Sequence, residues 1–157
     1  FAANNQNNST TNDTFDYSLN GSWYNPETPG QGVFIDKFKG TDNAFIGWFT
    51  YDTTLDGSQS NSDIGAPGQR WLVGEGKTDP NNSNILNYKL FYTSGGLFDD
   101  PKDVTLEGTD GYGNLKIEFI DCAHARVDYT INSENLSGSY DMVKLVTEPT
   151  TCNPTEN

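Results

Sequence analysis

Short segments rich in aromatic and β-branched residues recur from residue 18 onward, separated by clusters of Gly, Pro, Asn and Asp. No stretch shows the helical period of about 3.6 residues over a useful length. This pattern is typical of strands joined by turns, so the sequence predicts an all-β fold. The predicted strands span 18–24, 31–38, 43–52, 69–76, 84–93, 103–108, 114–121, 124–132 and 137–146.

The spacing of apolar residues predicts which faces of the strands are buried. Leu115, Ile117 and Phe119 alternate with charged residues, as expected for a strand with one face in a core. Segment 44–51, AFIGWFTY, is apolar on both faces, so it either lies centrally or displays aromatic residues outward. Short strands joined in sequence by short turns predict an antiparallel meander of about eight or nine strands, forming a barrel or a sandwich.

The length of 157 residues is that of one ordinary domain. Residues 1–17 are polar and of low complexity, which predicts an N-terminal arm. Residues 18–147 are predicted to form a single β-domain, followed by a C-terminal tail at 148–157. The connection 53–68 is longer than most loops and is a candidate functional loop.

Composition indicates the compartment and excludes some partners. The net charge of -13 repels a phosphate backbone and an anionic membrane surface, so we expect no nucleic-acid partner. No apolar run approaches the roughly 18 residues of a membrane span, so we expect no membrane insertion. A chain dominated by Asn, Thr, Ser and Gly favours a secreted, extracellular or cell-surface protein, from which we expect any signal peptide to have been removed.

Two cysteines, Cys122 and Cys152, favour the same compartment, because an even count in such a chain indicates a disulfide in an oxidising environment. The bridge would tie the C-terminal tail to a strand end. The alternative is a pair of free buried thiols. A metal site of the zinc type is not expected, since His124 is the single histidine and no CxxC spacing occurs, and no cofactor is predicted.

Four sequence motifs occur in a fixed order between Ser22 and about Leu145: SWYNPETPGQGVFI, FIGWFTYD, QRWLVGEG and LKIEFIDCAHARVDYTI...LSGSYDMVKL. In this order they resemble an uncharacterised family of bacterial secreted β-domains with W-[FY]-N-P-x-x-x-G-x-G, W-F-T-Y-D, W-L-V-G and D-C...S-G-S motifs. The resemblance implies secretion and a compact β-domain, often found beside hydrolase or surface modules, with no established catalytic residues. The chain departs from the pattern at Pro29, where Ser is usual, and in the insertion after Asp52.

A weaker resemblance rests on Gly21, Ser22 and Trp23 in the first strand. This Gly-x-Trp is similar to the first strand of avidin-like and lipocalin-like barrels, in which the Trp closes one end of a cavity. The resemblance implies a small-ligand-binding barrel.

The loop after the first strand is the leading candidate binding site. Its prolines and glycines, among them Pro26, Pro29 and Gly30, suit a rigid corner that only sets the register. The alternative is a sugar site, because aromatic faces bind pyranose rings and amides or carboxylates bind hydroxyls. The candidate ligand-binding residues are Trp23, Tyr24, Asn25, Glu27, Gln31, Trp48 and Trp71.

Aromatic residues on strands have a second interpretation, because a barrel needs large side chains to fill its interior. We expect core positions for Trp23, Trp48, Phe49, Tyr51 and Trp71 on this ground.

Acidic loops supply oxygen ligands for Ca²⁺ at Asp56 and Asp63 and at Asp99, Asp100 and Asp103. Neither loop has the EF-hand spacing, so solvated acidic loops are the favoured interpretation.

Catalytic patterns are weak. No GxSxG motif occurs, and nothing in the spacing of Glu27, Glu75, Glu107 and Glu118 selects a glycosidase pair. The sequence therefore predicts a non-enzymatic binding or adhesion module, with glycans as candidate ligands. One alternative is a structural subunit of an extracellular filament or homo-oligomer that assembles through residues 1–17 by adding a strand to a neighbour's sheet edge. The other alternative is a small-ligand-binding barrel.

Overall fold

The structure is a computed structural model that describes residues 19–53, 69–97, 99–108 and 110–146. The predicted N-terminal arm, the predicted C-terminal tail and nearly all of loop 53–68 lie outside the described residues, so these predictions stay predictions. The strands are β1 Gly21–Tyr24, β2 Gly32–Lys37, β3 Asn43–Tyr51, β4 Gln69–Thr78, β5 Ile85–Ser94, β6 Thr105–Glu107, β7 Gly113–Phe119, β8 His124–Ile131 and β9 Leu136–Lys144.

The strands form a closed antiparallel barrel. Eight of them pair in the order β4-β3-β2-β1-β9-β8-β7-β5, and an additional pairing of β4 with β5 closes the circle. The short strand β6 lies outside this circle and pairs with the end of β5 at Tyr92–Ser94. The all-β prediction is confirmed, with the barrel rather than the sandwich as the architecture. A single 3₁₀ turn, Asn132–Glu134, joins β8 to β9.

The alternation of side chains along each strand builds one core inside the barrel. In β7, Leu115, Ile117 and Phe119 are all buried, as their spacing predicts. Because every second residue of each strand points inward, closing the sheet brings these residues into one continuous apolar cluster.

Glycines in β4 make room for large side chains on the facing strand. Gly74 pairs with Leu90, and Gly76 pairs with Tyr88. A Cβ added at Gly76 would lie 2.3 Å from the Tyr88 ring, and one added at Gly74 would lie 2.8 Å from Ile46. Small residues opposite large ones let the interior fill without voids, so these glycines fix the packing of the barrel wall.

One end of the barrel is closed by Trp23. This residue is 1% exposed, and its indole Nε1–H donates to the backbone oxygen of Leu19 at 3.0 Å. The Phe119 ring meets the indole edge at a centroid distance of 5.3 Å, and the Lys144 ammonium lies 5.9 Å from the indole centroid. Apolar contact and a cation–π contact therefore hold the Trp23 side chain at this end.

The turn between β7 and β8 lies at the closed end and is organised by Asp121. Its Oδ1 accepts the backbone N–H groups of Ala123 and His124 at 2.7 and 2.8 Å, and His124 Nδ1 lies 2.9 Å from the carboxylate. Partial burial raises the pKa of Asp121, but these hydrogen bonds outweigh it and hold the pKa below its ordinary value. His124 therefore has a turn-stabilising role. Cys122 lies in this turn, while Cys152 lies outside the described residues, so their disulfide stays a prediction.

The expectation of core positions for five aromatic residues is correct for two of them. Trp23 and Trp48 are buried, whereas Phe49, Tyr51 and Trp71 are exposed on the outer wall. Segment 44–51 thus displays aromatic residues outward, which is one of the two alternatives its pattern allowed. No helix in the described part of the chain is both long and apolar enough to cross a membrane.

Candidate functional site: a cavity at the open end of the barrel

A cavity of about 990 Å³ occupies the end of the barrel opposite Trp23. We call this the open end; the β1–β2, β5–β7 and β8–β9 connections lie there, together with the end of β3 and the start of β4. The cavity is lined by Asn25, Glu27, Thr28, Gln31, Trp48, Thr50, Tyr51, Asp52, Thr53, Arg70, Trp71, Leu72, Tyr92, Thr93, Tyr112, Tyr129, Ile131, Glu134, Leu136, Ser139 and Tyr140. Its volume lies at the upper end of the roughly 300–1,000 Å³ typical of small-molecule sites.

The inner wall of the cavity is aromatic. The rings of Trp48 and Tyr129 lie with centroids 5.6 Å apart, and Tyr129 and Tyr140 follow at 6.3 Å. Across the opening, Tyr92 and Tyr112 meet edge to face at 5.0 Å. Four of them lie on or beside strand ends at the open end, and Tyr140 lies midway along β9, so closure of the barrel brings all five to one cavity.

Trp48 carries an unpaired hydrogen-bond donor. The residue is 5% exposed and lines the cavity, and its Nε1–H has no hydrogen-bond partner among the residues that the structure describes. A buried donor without a partner costs about 1–3 kcal/mol, and most buried polar groups in proteins are satisfied. An acceptor oxygen that reached this buried atom would therefore be stabilising.

Polar groups surround the aromatic wall near the mouth. Thr50 Oγ1 donates to Gln31 Oε1 at 2.7 Å, which joins β3 to the loop before β2. Thr53 and Tyr112 both donate through their hydroxyls to the Glu134 carboxylate, the second at 3.4 Å. Hydroxyl, amide and carboxylate groups are therefore held in place around the rim.

Negative charge predominates at the mouth. The cavity lining contains the carboxylates of Glu27, Asp52 and Glu134 and one guanidinium, that of Arg70. Arg70 forms an ion pair with Asp52. The carboxylates of Glu27 and Glu134 form no ion pair within the described part of the chain.

Two phenols of the cavity have shifted pKa values. Burial raises the pKa of Tyr112, and the negative charge of Glu134 raises it further. Burial also raises the pKa of Tyr140, with a smaller contribution from Tyr129. Both hydroxyls stay protonated at neutral pH and can donate hydrogen bonds to a ligand.

The loop between β1 and β2 is a rigid corner and also lines the cavity. Asn25 is buried, and its side-chain oxygen accepts the backbone N–H of Glu27 at 2.9 Å. Gly30 adopts φ +88°, and a Cβ there would lie 1.9 Å from the Tyr51 hydroxyl, which donates to Pro29 O at 3.2 Å. Glycine is favoured at this corner, because φ +88° is strained for other residues and an added Cβ would require the Tyr51 side chain to move.

The structure separates the predicted ligand-binding residues into three places. Asn25, Glu27, Gln31, Trp48 and Trp71 line the cavity, the last with its indole 63% exposed. Trp23 lies at the closed end of the barrel and is not part of the cavity lining. Tyr24 is partly exposed, at 36%, and is also outside the lining.

Trp71 also belongs to an exposed set of rings on the outer wall, which we call the outer aromatic row: Phe34, Phe49 and Trp71. Phe34 and Phe49 meet edge to face at 5.5 Å, and Phe49 stacks on Trp71 at 5.9 Å with an interplanar angle of 15°. A Cβ added at Gly47 would meet Trp71 Nε1 at 3.5 Å, an ordinary van der Waals contact, so the indole lies beside this glycine. The row connects to the cavity through Trp71, which borders both.

The predicted calcium ligands that the structure describes do not form a metal-binding cluster. Asp56 and Asp63 lie outside the described residues. Asp99, Asp100 and Asp103 are described, and no group of three or more His, Cys, Asp or Glu side chains able to hold a metal occurs in the described ranges.

Several cavity residues were not predicted as ligand contacts, chiefly Thr50, Tyr92, Tyr112, Tyr129 and Tyr140. The sequence signal for these residues is the alternation along each strand. Inward-facing residues converge when their strand ends lie at the same end of the barrel. That signal becomes usable only once it is known which end of the barrel is open.

No protein-family model matches the chain, and no curated protein or solved structure is detectably similar to it. The resemblances described from sequence motifs therefore stay predictions.

Proposed function

We propose that this protein is a non-enzymatic binding module that holds a small saccharide, or the end of a glycan, in the cavity at the open end of its barrel. The observation that carries the proposal is the cavity itself, about 990 Å³ in volume, with Trp48 and tyrosines as walls and hydrogen-bonding groups at its rim. Of the functions that the sequence suggested, this unites the glycan-binding module with the small-ligand-binding barrel.

The chemistry of the lining suits a sugar. Aromatic faces contact the C–H surface of a pyranose ring, while amides, hydroxyls and carboxylates hydrogen-bond its hydroxyl groups. Thr50, Gln31 and Glu134 provide such polar groups beside the rings of Trp48 and Tyr129. A ligand oxygen would also satisfy the unpaired Nε1–H of Trp48, after a small rearrangement that opens this buried atom to the ligand.

Two phenols of the cavity act as hydrogen-bond donors in this proposal. Burial raises the pKa of Tyr112 and of Tyr140, so both hydroxyls keep their protons at neutral pH.

Titration calorimetry with a panel of neutral oligosaccharides tests the proposal, with a matched pair of variants. Thr50→Phe places a ring inside the cavity, since Thr50 lies on the inward face of β3 and lines it. Thr130→Phe makes the same change on the exposed face of β8. We expect Thr50→Phe to abolish binding and Thr130→Phe to leave it unchanged. Equal affinity in both variants would place the ligand elsewhere, and absence of binding to any saccharide would refute the glycan proposal.

The outer aromatic row supports a second candidate, adhesion to a polysaccharide surface. Phe34, Phe49 and Trp71 are 54%, 40% and 63% exposed and adjoin one another on the barrel wall. Exposed rings in a row are unusual on a monomer and often mark an interaction site. Phe34→Ala distinguishes the two candidates, because Phe34 belongs to the row but not to the cavity. Loss of binding in Phe34→Ala with retention in Thr50→Phe would favour the adhesion surface.

Secretion or cell-surface exposure belongs to this proposal and is supported by composition. Assembly through residues 1–17 stays a separate hypothesis, since the arm lies outside the described residues. Strand addition requires an exposed sheet edge, and closure of the barrel leaves short ones, such as the three-residue β6. Size measurement in solution before and after deletion of residues 1–17 tests this alternative, which requires the deletion to reduce the assembly to monomers.

A further inference from the structure

We infer that the cavity selects a positively charged saccharide, one that carries an amino group, over neutral and acidic sugars. The inference rests on the proposed function and names the ligand class of the same site. It follows from the charge of the mouth, the aromatic walls behind it and the unpaired donor of Trp48.

The charge at the mouth is unbalanced. Glu27, Asp52 and Glu134 oppose one guanidinium, and that guanidinium, of Arg70, is engaged by Asp52. Glu134 accepts hydrogen bonds from Thr53 and Tyr112. These bonds orient the carboxylate but do not neutralise its charge. An ammonium group at the rim would gain from this excess of negative charge, whereas a uronic acid or a sulfated sugar would be repelled.

The connections around the open end add to the same potential. Residues 95–111 join β5 to β7 at this end and carry five carboxylates against one ammonium, namely Asp99, Asp100, Asp103, Glu107, Asp110 and Lys102. With a net charge of -13 on the whole chain, the field draws a cationic ligand toward the mouth.

The walls favour a cation as well. Tyrosine and tryptophan faces attract an ammonium group within about 6 Å of the ring centroid. Trp48 on β3 meets Tyr129 on β8 across the barrel interior, Tyr140 lies beside Tyr129, and Tyr92 and Tyr112 add a further pair of rings to the lining.

The unpaired donor distinguishes an amino sugar from a simple ammonium compound. The Nε1–H of Trp48 is buried without a partner and needs an acceptor oxygen. An alkylammonium ion provides charge but no acceptor, and a neutral sugar provides acceptors but no charge. An amino sugar provides hydroxyl oxygens for Trp48 and an ammonium group for the acidic rim.

Two trisaccharides that differ in one group test the inference: the glucosamine trimer and the N-acetylglucosamine trimer. The two trimers have the same sugar rings. At about pH 6 the amines of the glucosamine trimer are protonated and carboxylates in general are ionised, so the trimers differ in charge. We expect calorimetry to give about tenfold tighter binding of the glucosamine trimer at low salt, with the preference decreasing as salt is added. A galacturonate trimer should bind more weakly than either.

The outcomes separate this inference from the proposed function. If the acetylated trimer binds as tightly as the glucosamine trimer or more tightly, the inference is wrong and saccharide binding stands. If none of the trimers binds, both are wrong.

A matched pair of charge variants locates the effect. Glu134→Gln removes one negative charge from the mouth, and Glu75→Gln removes one from the outer face of β4. Both change the net charge equally. We expect Glu134→Gln to reduce the preference for the glucosamine trimer about threefold, as for a partly exposed charge pair, and Glu75→Gln to leave it unchanged. An equal effect of the two variants would show that the preference comes from the overall charge, and would overturn the assignment to this site.

Discussion

The two buried tryptophans allow a direct test of how the hydrogen bonding of a buried indole N–H affects the stability of the barrel. Trp23 and Trp48 are 1% and 5% exposed, so their rings are removed from water to nearly the same extent. They differ in one respect: Trp23 Nε1–H donates to Leu19 O at 3.0 Å, whereas Trp48 Nε1–H has no partner. Replacing each with phenylalanine removes the N–H in both cases and leaves an aromatic ring.

The expected losses of stability follow from this difference. Both substitutions remove part of a ring from a packed site, and this contribution is similar in the two variants. Trp23→Phe also breaks a hydrogen bond with a net value of about 1 kcal/mol and leaves a carbonyl oxygen in need of a partner. Trp48→Phe instead removes an unsatisfied donor, which offsets the loss of stability by about 1–3 kcal/mol. We therefore expect Trp23→Phe to lower the free energy of unfolding by at least about 2 kcal/mol more than Trp48→Phe.

Urea denaturation monitored by circular dichroism measures both values, and thermal unfolding provides a second reading. For a domain of this size, a difference of about 2 kcal/mol corresponds to roughly 4–8 °C in Tm. Equal losses in the two variants would refute the reasoning. They would mean that Trp48 Nε1 is satisfied in the free protein, and the argument for a ligand oxygen at that position would fall with it.

Three further outcomes are expected from the same structure. Trp71→Ala should cost less than about 2 kcal/mol in urea denaturation, because the indole is 63% exposed; a loss of about 3–5 kcal/mol would indicate a core residue. Asp121→Asn should destabilise the protein at pH 7, because the folded-state pKa of Asp121 is lowered: its contribution is present above the unfolded-state value of about 3.9 and is lost as pH falls through the folded-state pKa. Urea midpoints of variant and wild type should converge as pH falls below the folded-state pKa, and a constant difference would contradict this. Cys122 and Cys152 should resist alkylation in the untreated protein, and reduction should lower the free energy of unfolding by about 3–4 kcal/mol; free thiols would disprove the disulfide.

Part of the cavity lining was accessible from the sequence. The loop after the first strand was predicted to place Asn25, Glu27 and Gln31 near aromatic rings, and these three residues line the cavity with Trp48. Trp23 was grouped with these residues because it neighbours that loop in the chain, but the structure places it at the opposite end of the barrel, outside the cavity lining. Proximity along a strand does not determine which end of a barrel a side chain reaches.

Strand β4 illustrates why sequence alone did not orient its residues. Trp71, Leu72 and Val73 are all apolar, so the alternation that marks a buried face is absent. The glycines that follow show which face of β4 is the inner one, because Gly74 and Gly76 face inward against Leu90 and Tyr88. That places Leu72 in the core and leaves Trp71 on the outer wall.

By itself the sequence determined the all-β class, the approximate strand boundaries and the inward faces of strands such as β7. These are local properties, since a period of two and the residues that favour turns act within a few positions of the chain. The tertiary structure decided the closure of the barrel through the β1–β9 and β4–β5 pairings, the end at which it stays open and the rings that meet there. Each of these depends on contacts between residues far apart in the chain, and pairings of that kind leave no local pattern to read.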